Sequence, residues 1–132
     1  MSVILLDTST LIWALLQPAR LPARIADAIR DRSNEVLFSA VSIWEIAIKT
    51  SLGRVEFSRD PGSVLKVAAE TGFRELPIDA ATALLVATLP WVHRDPFDRL
   101  LVAQAIAQPA RLYTSDRVLA GYSELIEVYN PR

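Results

Sequence analysis

The chain has 132 residues, 52% of them hydrophobic and 22% charged, with a formal net charge of −1 and no cysteine. That length and composition fit one domain with a sizeable core and exclude a disordered chain. The missing cysteines exclude disulfides, thiolate zinc sites and cysteine nucleophiles together, and the near-neutral charge names no partner.

The opening "MSVILLD" has no basic segment ahead of a small-residue cleavage site, and no apolar run approaches the roughly 18–20 residues of a membrane span, so no membrane partner and a cytoplasmic location are expected. "SVILLD" is short, apolar and rich in strand formers, and reads as a buried strand. "TLIWALL" follows as a helix stopped near Gln17 and Pro18. "LPARIADAIRDR" begins with Pro22 in a first-turn position and places Ile25, Ala28 and Ile29 on one helical face. "EVLFSA" is a second strand, and "VSIWEIAIKTSLG" a helix that Gly53 ends.

"RVEFSRDPGS" reads as a loop leading into the helix "SVLKVAAETG", and "FRELPI" as a third, weaker strand. A helix "DAATALLVATL" capped by Asp79, a helix "PFDRLLVAQAIAQ", a strand "RLYTSD", a short helix "RVLAGY" and a last strand "IEVYN" complete the order. Strands alternate with helices and no tight hairpin signal intervenes. The expectation is a single α/β domain over residues 1–132, with a central parallel sheet of about four to five strands flanked by helices.

In open parallel sheets ligands bind outside the carboxyl ends of the strands. Asp7 directly follows the first strand, Asp116 follows "RLYTS", and Asp98 lies in the first turn of the helix feeding that strand. Glu45 sits inside the apolar helix "SIWEIAI". Each has an ordinary alternative: Asp7 as a turn residue, Asp116 as an N-cap, Asp95-Pro96-Phe97-Asp98 as a well-made helix start, and Glu45 as the partner of Lys49 one turn on. Taken together they suggest more. Two carboxylates at about 4 Å repel by roughly 4 kcal/mol at an effective dielectric near 20, so four in one pocket raise their pKa values or recruit a cation. Oxygen donors with one histidine and no thiolate point to a hard ion, Mg2+ or Mn2+.

"LLDTSTLIW", the mid-helix acid of "SAVSIWEIAIK", "DPFDRLLVAQA" and "YTSD" occur in the order and spacing of the PIN-domain nucleases. Across essentially its whole length the chain resembles the VapC-like ribonuclease toxins of type II toxin–antitoxin modules. The resemblance implies a metal-dependent endoribonuclease whose acidic quartet is Asp7, Glu45, Asp98 and Asp116. Asp7 and Asp98 map to the principal metal ligands of the family, and Glu45 and Asp116 complete the site, with Asp95 either a further ligand or only a cap. Ser9 and Thr114 lie where small polar residues of the family help hold the acids or the scissile phosphate. The implied reaction is attack of a metal-activated water on an RNA phosphodiester, leaving a 5′-phosphate and a 3′-hydroxyl. The implied partners are RNA, a cognate antitoxin laid across the active-site groove, and a second copy in a homodimer.

The rest of the composition agrees with that reading. A single histidine, His93, cannot supply the two-imidazole acid–base pair of metal-free ribonucleases, and a loop or capping role is expected of it. Setting the quartet aside leaves eleven acidic against fourteen basic residues, a mildly positive surface compatible with RNA. Twelve of the fourteen basic residues are arginines, a bias that suits phosphate and that a GC-rich genome produces equally well. Arg94, Arg99 and Arg117 flank the site motifs as phosphate contacts or as solvated surface charge. Trp13, Trp44 and Trp91 are expected in the core, and exposure of several would mark an interface. A dehalogenase-type phosphatase needs a second Asp where Ser9 stands, and a receiver domain needs an acid beside Asp7. A catalytically silent RNA- or protein-binding module of the same fold remains the alternative from another class.

Overall fold

The protein is described here by a computed structural model that covers residues 1–54 and 60–132. Five parallel strands form its sheet: β1 (Val3–Leu6), β2 (Glu35–Ser39), β3 (Arg74–Leu76), β4 (Arg111–Thr114) and β5 (Ile126–Val128). Their order is β3-β2-β1-β4-β5, which puts β1 in the centre. From Val3 opposite Glu35 to Leu6 opposite Phe38, β1 pairs with β2, and on its other side Ile4 to Leu6 face Arg111 to Tyr113 of β4. The chain first builds outward from β1 to β3, then returns to place β4 and β5 on the opposite flank. The switch point therefore lies between β1 and β4.

The helices are α1 (Thr8–Leu16), α2 (Ala23–Arg30), α3 (Ala40–Ser51), α4 (Pro61–Thr71), α5 (Ala80–Leu85) and α6 (Pro96–Ala107), with 3-10 turns at Pro18–Arg20, Val86–Thr88 and Arg117–Gly121. Alternation along the strands divides the core. Ile4, Leu6, Val36, Phe38 and Tyr113 meet Leu11, Ile25 and Val64 of α1, α2 and α4 on one face. Leu5, Leu37 and Leu112 meet Leu101, Val102 and Ala105 of α6 on the other. Being covered on both sides is why these strands are nearly unbroken apolar runs. Straddling the two layers, α3 gives Ile46 to the first cluster and Val41 to the second.

Every element expected among the described residues is present, with small shifts at its ends. Asp60 caps α4, whose first residue Pro61 lies two residues ahead of the expected start. The expected "RVLAGY" helix is a 3-10 turn. Of the expected loop 54–63, residues 55–59 lie outside the described residues.

Two tryptophans depart from expectation. Trp44 is 50% and Trp91 79% exposed, and only Trp13 packs against the core. Trp44 lies on the outer face of α3, edge-on to Phe97 at 4.9 Å, and Trp91 lies over the Arg99 guanidinium at 4.0 Å. Both lay one side of the ring against a neighbouring side chain instead of filling the core. Side-chain type alone does not separate these cases, because an amphipathic indole serves either.

Candidate active site

Asp7 leaves β1 and caps α1. Its backbone N–H donates to the Tyr113 carbonyl at 3.1 Å, one step beyond the last β1–β4 pair, and this sets it beside Thr114. One carboxylate oxygen, Oδ1, accepts the Thr10 N–H at 2.9 Å, and Oδ2 accepts the Thr114 hydroxyl at 2.6 Å. The same Thr114 Oγ1 accepts the Asp116 N–H at 3.0 Å, so a single hydroxyl ties the acids after β1 and β4 together across the switch point. Burial pushes the Asp7 carboxyl above its usual range; the Thr10 and Thr114 hydrogen bonds oppose this, and the charge on Glu45 adds to it.

Glu45 is buried in α3 and reaches back to α1, where Thr8 Oγ1 donates to its Oε1 at 2.6 Å. The Lys49 ammonium, four residues on, meets Oε2 at 2.6 Å. The pair foreseen from the spacing thus exists, but the two side chains are only 19% and 7% exposed, so it is no loose surface contact. It half-neutralises the side of the pocket next to Asp7.

Asp116 caps the turn Arg117–Gly121 through the Val118 N–H at 3.0 Å, and its Oδ2 meets His93 Nε2 at 2.8 Å. Asp95 caps α6, its Oδ1 accepting the Phe97 and Asp98 N–H groups at 2.8 and 3.3 Å. That occupies Asp95 in the helix start. Asp98 is different. Its half-buried carboxylate accepts no hydrogen bond among the described residues, and its nearest basic neighbour is His93 Nε2, at 3.6 Å. Burial, followed by the charges of Asp95, Asp7 and Glu45, raises its pKa from 3.8 to about 7, against a smaller pull from His93.

The four acids foreseen from sequence therefore converge at the carboxyl edge of β1 and β4. They do not form one tight ligand set. Among the described residues, the group of three or more ligand-type side chains whose donor atoms lie within 4.8 Å of one another is His93, Asp98 and Asp116. Asp7 and Glu45 adjoin it, joined through Thr114 and Thr8. A half-buried carboxylate with no hydrogen-bond donor, crowded by like charges and made of oxygen donors, suits a hard divalent cation.

Arg99 needs correction as a substrate contact. It is 3% exposed and spends its guanidinium on the carbonyls of Val86, Leu89, Pro90 and His93 and on the Tyr122 hydroxyl. It clamps the 86–93 segment onto α6 and has no face to offer RNA. Arg117 remains at the surface, bonded to Asn130 Oδ1 at 2.9 Å, and Arg94 is exposed as well. Ser9 is half-buried in the first turn of α1. Sequence reasoning overlooked the threonines Thr8 and Thr10 on either side of Ser9; Thr10 also bonds the Tyr113 carbonyl at 3.2 Å and the Tyr129 hydroxyl at 2.6 Å. The run of three hydroxyls after Asp7 was the available signal.

The PIN domain family model matches residues 4–125. The chain belongs to the PIN-domain family. Among curated proteins this PIN domain is 32% identical to Ribonuclease VapC22 of Mycobacterium tuberculosis over 123 residues, 92% of this chain and 93% of that protein. Solved structures share its fold. VapBC2 of Rickettsia felis, bound to a DNA fragment from its promoter, superposes with a TM-score of 0.71 at 16% identity, covering 97% of this chain and 99% of that one. VapBC-5 of Mycobacterium tuberculosis gives 0.62 at 19% identity, covering 98% and 99%. The family and the VapC relative identify the PIN domain as a nuclease, a hydrolase of phosphodiester bonds.

Proposed function

We propose that this PIN domain is a Mg2+- or Mn2+-dependent endoribonuclease and the toxin of a toxin–antitoxin pair. The observation that carries the reading is Asp98, a half-buried acid without a hydrogen-bond donor, set among Asp7, Glu45 and Asp116 at the switch point of a parallel sheet. Asp7 and Asp98 are its principal metal ligands, and Glu45 and Asp116 complete the site. A divalent cation bound by these acids would supply an activated water and neutralise charge on the scissile phosphate. The protein's own work is orientation. Thr10 and Thr114 fix Asp7, Thr8 and Lys49 fix Glu45, and the turn at Arg117–Gly121 fixes Asp116. Ser9 and Arg117 would contact RNA phosphates, and the products would carry 5′-phosphate and 3′-hydroxyl ends.

The relative's name supports ribonuclease activity, and the VapBC structural neighbours support an antitoxin partner. No described helix is long and apolar enough to cross a membrane. Exposed Trp44, packed on Phe97, supports a second copy as the occupant of that face. The deciding experiment is incubation of structured RNA with protein in Mg2+ or Mn2+. Cleavage is expected to stop with chelator and in folded Asp7→Ala or Asp98→Ala protein. Cleavage that persists in chelator would refute the metal mechanism, and tight binding without turnover would make the chain a silent RNA-binding relative.

A further inference from the structure

His93 lies at the centre of the acidic cluster, and its surroundings decide which ring nitrogen carries the proton. Its Nδ1 accepts the Asp95 backbone N–H at 3.0 Å. An acceptor needs a lone pair, so the proton of the ring is on Nε2, the nitrogen 2.8 Å from Asp116 Oδ2 and 3.6 Å from Asp98 Oδ2. A metal-ligating imidazole shows the opposite pattern, with its remote N–H donated outward and a bare nitrogen toward the ion. The ring is also held in place. The His93 N–H donates to the Tyr122 hydroxyl at 2.8 Å, while its carbonyl accepts from that hydroxyl at 3.2 Å and from Arg99 at 3.4 Å. Moving His93 would disturb the same buried clamp that Arg99 forms with the 86–93 segment.

Resting on the nuclease reading above, we propose that His93 is a positioning residue whose Nε2–H, lodged between Asp98 and Asp116, occupies the place of a second cation and leaves the site one ion on the Asp7 side of Asp98. Asp116 then has donors on both oxygens, Val118 N–H and His93 Nε2–H, which leaves Asp98, with no donor among the described residues, as the freer acid toward the ion. The site is thereby a one-ion centre in which a neutral imidazole N–H, and not a second ion, meets Asp116.

The test is Mn2+ titration of the full-length protein, followed by electron paramagnetic resonance, with pulsed measurements for nitrogen coupling. The wild type is expected to take up one ion without a directly bound nitrogen. His93→Asn keeps an acceptor near the Asp95 N–H but does not reach the carboxylates, and is expected to admit a second ion. His93→Gln places an amide N–H near the lost Nε2–H and is expected to return the count to one. A second ion in the wild type, a strong nitrogen coupling, or a single ion in His93→Asn overturns this assignment and leaves the nuclease reading standing. Absence of any Mn2+ binding by the wild type overturns both.

Discussion

At the scale of single residues, Asp98 makes the firmest prediction. In chelator its folded pKa of about 7 stands above the ordinary value of 3.8, so the folded protein binds a proton more tightly than the unfolded chain does. Stability from this group is full below about pH 4, falls as the pH rises toward 7, and is gone above that, at most about 1.4 kcal/mol per pH unit. Thermal melts in chelator should show this decline in the wild type and a shallower one in Asp98→Asn, where only the raised Asp7 carboxyl contributes to it. Mn2+ should stabilise the wild type at neutral pH far more than the variant. Thr114→Val tests the hydroxyl that joins Asp7 to Asp116. Valine keeps the volume but strips a donor from a buried carboxylate, at a cost of about 1.5–3 kcal/mol for a hydrogen bond to charge. Folding measured in urea should weaken by that order, and RNA cleavage should fall by the roughly 10–100-fold typical of losing a group that orients a metal ligand.

Helix starts and the segment before α6 govern the next level. Asp95 caps α6, and Asp95→Ala should cost about 1 kcal/mol in urea denaturation, as cap losses do. Asp95→Ser should recover most of that loss. If Asp95 were a metal ligand, serine would restore stability without restoring Mn2+ affinity; as a cap alone, Asp95 leaves that affinity within a few-fold in both variants. Arg99→Met keeps the stem but orphans carbonyls of the 86–93 segment, for a loss of roughly 2–4 kcal/mol at about 1–3 kcal/mol per buried unpaired group. Hydrogen exchange should quicken in that segment, which carries His93. The motif "DPFDR" was legible as a helix start because capping is local. That its arginine turns inward to bind carbonyls six to thirteen residues upstream was not, since nothing in the spacing separates a clamp from a surface charge.

The largest scale concerns the whole surface and the sheet. Trp44 is half exposed on α3 against Phe97, and an exposed aromatic face of this kind suits a partner. Sedimentation equilibrium should give a dimer, and Trp44→Ser should shift it toward monomer without lowering the melting temperature of the monomer. An unchanged dimer in the variant would move the interface elsewhere. Apolar runs and turn residues along the chain were enough to determine the alternation of strand and helix, the parallel sheet, and the two acids, Asp7 and Asp116, that follow its strands, because burial on two faces and helix capping leave local marks. Tertiary structure alone decided the rest. Thr8 meets Glu45 across 37 positions, Thr114 meets Asp7 across 107, and His93 enters between Asp98 and Asp116, because strand order and register, which no local pattern encodes, bring those segments to one edge.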